Sequence, residues 1–589
     1  MPDVKTSRLN SSEPPHARLA PWSASRAGAA SLLRDLPILA AGLALLYGLV
    51  ALSRYWAGAV NSQPEIRLDP RALPGYALYS VTRIMVAYLL SLAVTLVYAY
   101  VAAHNRRAER FMIPLLDTLQ SIPVLSFLPS VMVSMVALFP GRQMGIELGS
   151  IVLIFTGQVW NMAFSVYSSM KSVPNDLLEA SEAYGLSWWQ KLVQLELPYS
   201  TIGLVWNSMM SVAGGWFFLM ACEMFVLGNH DLRLPGLGSY LQTAANAGDT
   251  RAVLWGVASM IAVIVLMDQL LWRPAIAWSQ KFKFEQVEAT QVPRSPILDL
   301  LRHSRAIARA DRALLTPARE ALTRHFARSR AAETSVASRG PRQWIGRVVA
   351  GAALAGIAYA VWKMVLALAT LSRLDLLAIV RGAGATFLRV EFSLLLAALW
   401  TIPAGVYIGT RPRLAAIAQP IAQVTASIPA TALFPIVLLL LIRIGGGLGI
   451  ASIVLLLLGT QWYVLFNVIA GASALPTDLG EVCDVFGLTR VERWRKFILP
   501  GIFPFMITGF ITASGGAWNA SIVAEYVHFH GRTFSTTGLG AVISRATDAG
   551  NVSVLLGATA VMAAMVVTFN RLVWRRLYFL ASTRYKLEA

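Results

Sequence analysis

Charge is scarce in this chain. Asp, Glu, Lys and Arg make up 14% of its 589 residues, against about 25% in an ordinary soluble domain. So few ionisable groups cannot cover a soluble surface of this size, which excludes a soluble globular protein. Cysteine is scarcer still: Cys222 and Cys483 cannot build a disulfide framework or a cysteine-rich metal site. No Gly-x4-Gly-Lys-Ser/Thr run is present, so the chain has no phosphate-cradling loop of its own. No Ser/His/Asp or paired-carboxylate arrangement stands out, which argues against intrinsic enzyme chemistry. His528-x-His530 is the nearest approach to a metal pattern. It falls in a predicted external loop with no cysteine nearby and reads as plain loop polarity.

What is present is apolar sequence. At 56% hydrophobic residues, disorder is excluded for most of the chain, and the apolar residues gather in stretches long enough to cross a bilayer. A helical span needs about 20 such residues. Candidates lie at about 36–56, 77–103, 124–140, 149–169, 201–225 and 252–271, and again at about 348–371, 377–409, 431–443, 449–470, 501–526 and 554–574. The expected fold is an all-α polytopic membrane protein with about twelve transmembrane helices, arranged as two parallel repeats of about six. The expected division is a disordered cytoplasmic tail (1–35), a first transmembrane domain (36–275), a basic linker (276–347), a second transmembrane domain (348–580) and a short tail (581–589).

The formal net charge is +19, and its placement gives the orientation. Lys and Arg collect at 104–110, 171–199, 411–413, 472–500 and 575–589, which are expected to be cytoplasmic together with both termini. The linker carries eleven Arg against Asp311, Glu320 and Glu333 between Arg302 and Arg347. It reads as a solvated or amphipathic tether beside anionic lipid, since no aromatic–basic interleaving supports nucleic-acid binding.

The chain repeats itself. At an offset of 302, Trp160 faces Trp462, Pro174 faces Pro476, Glu179 faces Glu481, Gly185 faces Gly487, Leu197-Pro198 faces Leu499-Pro500, Trp216 faces Trp518, Glu223 faces Glu525, and Gly236-Leu237-Gly238 faces Gly538-Leu539-Gly540. Upstream the offset is 306, pairing Arg83 with Arg389 and Ser121-Ile122-Pro123 with Ser427-Ile428-Pro429, so the first half holds four extra residues near 139–148. An even number of spans per half returns the chain to its starting side, so the repeats are parallel about an axis along the membrane normal.

Each half places one long mixed-polarity loop inside. Pro174 and Pro476 suit a helix start, with Asp176 or Asp478 in the first turn. Gly185 and Gly487 suit a left-handed cap. A short second helix (188–195 and 491–497) is expected to end at the Leu-Pro pair. The product is a helix–Gly–helix knob able to pass movement from a cytoplasmic partner.

These loops, with Glu179-Ala180…Gly185…Leu197-Pro198 in one copy and Glu481…Gly487…Leu499-Pro500 in the other, resemble the Glu-Ala-Ala…Gly…Leu-Pro loop of permease subunits in binding-protein-dependent ABC importers. Ser-Ile-Pro, the Trp518–Glu525 run and the Gly-Leu-Gly that follows resemble the nitrate/sulfonate/taurine-type branch. Val482-Cys483 departs from Ala-Ala, and Phe217–Leu219 interrupts the first half's version of the run. The resemblance implies a type I importer permease with two domains fused in one chain, in a bacterial inner membrane. It implies two ATP-binding-cassette ATPase subunits on the two loops and a periplasmic substrate-binding protein. ATP and Mg belong to the ATPases, no cofactor belongs to this chain, and the cargo is a small anion or organosulfur solute: sulfonate, taurine, nitrate or bicarbonate. An ion-gradient-driven secondary transporter is the alternative, and it would need titratable groups at the bilayer midplane.

Ionisable groups at span depth need a reason. Arg83, Glu223, Arg389 and Glu525 are expected near the external side, lining or gating the pathway, or else forming structural Glu–Arg pairs. Trp160, Trp216, Trp462, Trp518 and Asn519 are expected to face the seam between the halves, with ordinary helix packing as the alternative.

Overall fold

The computed structural model describes residues 65–282, 296–303 and 368–584, apart from short gaps at 228–229, 427, 429, 444–446, 476 and 530–531, together with scattered residues in the amino-terminal part and the linker. The expected tail 1–35, the span 36–56 apart from Trp56, most of the linker, part of the span 348–371, and Ser427, Pro429, Pro476 and His530 lie outside the described residues.

The first repeat runs α1 (Leu73–His104), α2 (Arg106–Ser121), α3 (Leu128–Leu138), α4 (Gln143–Lys171), α5 (Asn175–Ala183), α6 (Trp188–Glu223), a hairpin of β1 (Val226–Leu227) and β2 (His230–Asp231), α7 (Leu237–Ala247) and α8 (Thr250–Phe282). The second runs α9 (Arg373–Gly409), α10 (Pro412–Ala426), α11 (Ala430–Arg443), α12 (Leu448–Ser473), α13 (Thr477–Val485), α14 (Arg490–Ala524), a hairpin of β3 (Tyr526–Phe529) and β4 (Arg532–Ser535), α15 (Leu539–Asp548) and α16 (Val552–Ala581). Among the described residues eight helices are long and apolar enough to cross a membrane, four per repeat. Large apolar side chains such as Leu89, Val97, Leu388 and Leu399 stand exposed along these helices. That is the arrangement hydrocarbon requires, because a helix satisfies its own backbone and needs no polar coat there.

The packing is duplicated. Helix α4 lies between α1 and α6, and α12 lies between α9 and α14. The expected spans at 124–140 and 431–443 are shorter helices, α3 of 11 residues and α11 of 14, which at 1.5 Å per residue reach only about 17 and 21 Å. They tie the repeats together. Leu125, Leu128 and Met132 enter the hydrophobic cluster built mainly on the second repeat. Phe434, Leu438 and Leu455 enter the cluster built mainly on the first. Each repeat thus completes its core with apolar residues of the other.

The Leu-Pro pairs do not end a helix, contrary to the sequence expectation. Residues 188–223 and 490–524 are each one continuous helix of about 50 Å, interrupted by a single wide turn at Leu192–Glu196 and Trp494–Ile498. The amide of Leu197 donates to the carbonyl of Leu192, and that of Leu499 to Trp494, five residues back. The following prolines have no N–H to give. A π-turn placed just before them opens the space their rings need, so the helix continues.

Candidate functional site

Two duplicated sites stand out, at opposite ends of α6 and α14. The first is the knob at their amino ends. Pro174 caps α5, and Asp176 sits in its first turn. At its end Leu186 N donates to Ser181 O at 3.0 Å and Gly185 N to Glu182 O at 2.9 Å. The second copy repeats this with Leu488 N to Cys483 O at 3.0 Å and Gly487 N to Asp484 O at 3.1 Å. This six-to-one closure needs a left-handed residue, and Gly185 (φ 67) and Gly487 (φ 61) supply it. Ser187 and Thr489 then start the next helix, each closing a reciprocal box with Gln190 or Glu492. Glu179 and Glu481 are exposed, and Ala180, Leu197, Pro198, Leu499 and Pro500 are half-buried. Around the reversals Tyr184, Val485 and Phe486 are 85%, 84% and 76% exposed. Large side chains this open stand out on an otherwise polar knob. In the second copy Arg493 pairs with Asp484 at 2.6 Å across the reversal.

The second site lies at the far ends of α6 and α14. Arg83 of α1 is fully buried and grips two carboxylates. Its Nε and Nη2 donate to Glu147 of α4, each at 2.7 Å, and Nη1 donates to Glu223 Oε1 at 2.7 Å and to Pro235 O at 2.8 Å. Ser80 Oγ donates to Glu223 Oε1 at 2.7 Å and accepts from Leu237 N at 3.0 Å, while Gly238 N donates to Glu223 Oε2 at 2.7 Å. The second repeat copies most of this. Arg389 Nη1 pairs with Glu525 Oε1; Thr386 Oγ1 donates to the same oxygen at 2.7 Å and accepts from Leu539 N at 2.8 Å; Gly540 N donates to Glu525 Oε2 at 2.8 Å. The chain after each glutamate is therefore drawn back over the cluster. Leu234 N and Thr536 N bond to the carbonyls of Glu223 and Glu525 at 3.1 and 3.0 Å.

Both Arg–Glu clusters occupy one end of the molecule, because β1 packs against α15 and α7 against β3. Both knobs consequently share the opposite end.

Ser80, Thr386 and Glu147 escape a reading that looks only for matched charges. A hydroxyl at 80 and 386 does recur at the 306 offset, and that is a legible signal. Glu147 lies inside the stretch where the offset changes, and the residue that faces it at the 302 offset is Gly449, so no matched charge draws attention to it.

The remaining candidates do not gather in one place. Asn519 Oδ1 accepts from Leu125 N of the other repeat at 3.3 Å, beside a bond from Thr559 Oγ1 to Ser126 O at 3.1 Å. Trp216 and Trp518 are buried in the two cores, Trp518 with its ring 6.3 Å from that of Phe387. Trp160 is half-buried on α4, and Trp462 stands edge-on to Trp400 with centroids 6.5 Å apart. Toward the carboxyl end of α6, α6 and α12 approach across the seam. A Cβ on Gly214 would stand 3.9 Å from the Tyr463 hydroxyl, and one on Gly516 would stand 3.5 Å from the same ring. Tyr463 was not singled out from the sequence, because the residue facing it at the 302 offset is Asn161. Among the described residues no group of three or more His, Cys, Asp and Glu could hold a metal ion.

Comparison with known proteins gives two matches to one family, the binding-protein-dependent transport system inner membrane component, over residues 72–271 and 401–581. A nitrate import permease protein of Leptolyngbya laminosa is 30% identical over 142 residues, 24% of this chain and 50% of that protein. A bicarbonate transport system permease protein of Synechocystis is 32% identical over 139 residues, 24% of this chain and 48% of that protein. The taurine transport system permease protein of Escherichia coli is 27% identical over 181 residues, 31% of this chain and 62% of that protein. The chain thus spans about half the length of the nitrate and bicarbonate permeases it matches.

Proposed function

The chain belongs to the binding-protein-dependent transport system inner membrane components, a family of transport permeases, and on that premise we propose that it is a transmembrane permease subunit of an ATP-driven importer, two permease domains fused into one polypeptide. Two ATPase subunits dock on the paired knobs, and an external binding protein delivers cargo at the end that holds the Arg–Glu clusters. The cargo is a small anion or organosulfur solute of the nitrate, bicarbonate, sulfonate or taurine class; nitrate, bicarbonate and taurine stand in the names of the relatives above. Both termini and the basic linker face the cytoplasm of a bacterial cell, and the domain limits are those expected from the sequence.

One observation carries this reading: the two knobs are built alike down to individual hydrogen bonds, share one face and expose apolar tips. Each leads directly into a continuous helix that ends at a buried ionic cluster on the other face. A push on the knob therefore moves a rigid rod rather than a loop, the kind of element that rocks one half against the other. The pathway follows the seam, past Trp160, Asn519, Trp462 and the Tyr463 ring between α6 and α14. Trp216, Trp518 and the Arg83, Glu223, Arg389 and Glu525 clusters hold the outer ends of the rods in register beside it.

Reconstitution tests the reading. Vesicles containing this chain, its ATPase partners and its binding protein are expected to accumulate labelled nitrate, bicarbonate or taurine only with ATP. Uphill accumulation by the chain alone, driven by an ion gradient, would overturn it.

A further inference from the structure

The two Arg–Glu clusters differ most at one position, and the difference has the shape of a ligand. In the first repeat the Nε/Nη2 edge of Arg83 is filled by the Glu147 carboxylate. Glu147 maps onto Gly449. The equivalence is structural as well as numerical, for Ser150 Oγ donates to Glu147 O and Ser452 Oγ to Gly449 O, both at 2.8 Å. In the second repeat, therefore, the matching edge of Arg389 meets no carboxylate. Its Nη2 makes only neutral bonds, to Thr537 O at 3.1 Å and Thr536 Oγ1 at 3.4 Å, and its Nε has no hydrogen-bond partner among the described residues. The side chain is nonetheless 90% buried.

The space is open as well. A Cβ added to Gly449 would find its nearest neighbour, Thr536 Oγ1, only at 3.8 Å. Formal charge points the same way. Arg83 with Glu147 and Glu223 sums to −1, and Arg389 with Glu525 sums to zero. A guanidinium edge is a planar fork matched to two oxygens of one planar group.

We propose that the Nε/Nη2 edge of Arg389, with Thr536 and the space over Gly449, is a binding site for a small monovalent planar oxyanion of the carboxylate, bicarbonate or nitrate type, which takes the place that the Glu147 carboxylate holds in the first repeat. One bound anion brings the second cluster to the charge of the first. The site sits at the end away from the knobs. It rests on the transport reading only in so far as the same anion class is cargo; binding itself requires neither ATPase nor binding protein.

The test uses the full-length chain in detergent. Thermal unfolding is followed while formate, nitrate or bicarbonate is added, with chloride at equal ionic strength as the reference. The wild type is expected to be stabilised by the planar oxyanions beyond chloride. Gly449→Glu places an internal carboxylate on the guanidinium and is expected to unfold at higher temperature without added anion. It should also bind the probes about tenfold more weakly or worse, the loss of one charge-assisted bidentate contact. Arg389→Lys retains the charge but not the fork and should lose most of the oxyanion preference. No oxyanion effect in the wild type, or equal effects in wild type and Gly449→Glu, overturns the proposal. Intact ATP-driven uptake beside a failed binding test sinks this site alone. Anion binding without any ATP-driven uptake sinks the transport reading alone.

Discussion

Glu147 and Gly449 hold the same place in two copies of one helix, and only the first carries a carboxylate to its arginine. Around that difference Arg83, Glu223, Ser80, Leu237 and Gly238 repeat as Arg389, Glu525, Thr386, Leu539 and Gly540 with nearly the same bonds. A buried ionic cluster of this kind is stable as long as every member has its partner.

Removing members of the first cluster should therefore have unequal effects. Arg83→Leu leaves two fully buried carboxylates facing each other and is expected to cost about 3–5 kcal/mol, enough to reduce folded yield. Glu147→Gln leaves the Arg83–Glu223 pair intact, resembles the second repeat, and should cost clearly less. Thermal unfolding of the purified variants gives the order; a larger loss for Glu147→Gln would refute the arrangement.

Gly236 and Gly538 lie so near the carboxylates of Glu223 and Glu525 that an added Cβ would overlap them. Their backbones are extended, with φ of 178 in both, so the demand is one of space and not of backbone conformation. Gly538→Ala is expected to push Glu525 off Gly540 N and to destabilise by about 2–4 kcal/mol, the range for strain combined with an unpaired buried group. A thermal scan that shows no change would count against the close approach.

The knobs make a different demand on their glycines. Gly185→Ala and Gly487→Ala should each cost about 1 kcal/mol through the left-handed backbone, with little effect on the spans. Gly185→Pro combined with Gly487→Pro cannot close the caps, because proline is held at negative φ. The double variant is expected to reach the membrane yet fail to co-purify with the ATPase. Unchanged association and uptake would refute the docking role.

The exchanged helices predict that the repeats hold together without their covalent link. A chain cut within 304–347 should still purify as one complex, because Leu128 and Met132 lie in one mixed cluster and Phe434 and Leu438 in the other. Phe434→Asp in the cut chain should release the halves, since a charge in that cluster has no partner. Separation of the unmutated halves on a sizing column would contradict the packing.

One ion pair outside the spans predicts a pH response. Burial pushes the Asp231 carboxyl up, but hydrogen bonds and charge from Arg233 outweigh it and hold the group below its ordinary value. A carboxylate with a lowered folded-state pKa contributes stability that is present above the unfolded value of about 3.9 and is lost as pH falls through the folded one. Hydrogen exchange of Val226 and Leu227 should thus be constant from neutral pH down to about pH 5 and should show more frequent opening only below about pH 4, after correction for intrinsic rates. Opening that begins near pH 6 would exclude Asp231 as the cause.

Much of this molecule is legible as a string of letters. Charge scarcity and apolar runs announce a helical membrane protein, because hydrocarbon accepts no unpaired backbone. The 302 and 306 offsets announce two parallel copies, and Gly185 and Gly487 announce left-handed caps, because these are local or self-referring signals. What lies across distance could not be read. The Leu-Pro pairs look like helix ends, and only the wide turn before each proline shows that the rods continue. The segments at 124–140 and 431–443 look like ordinary spans, and only packing shows each lodged in the other copy's core. Glu147 reads as one acid in an apolar stretch, and the arginine that neutralises it stands 64 residues away. Sequence specifies what each segment must bury; which partner buries it is settled only when the helices meet, since a buried charge accepts any group that can satisfy its bonds.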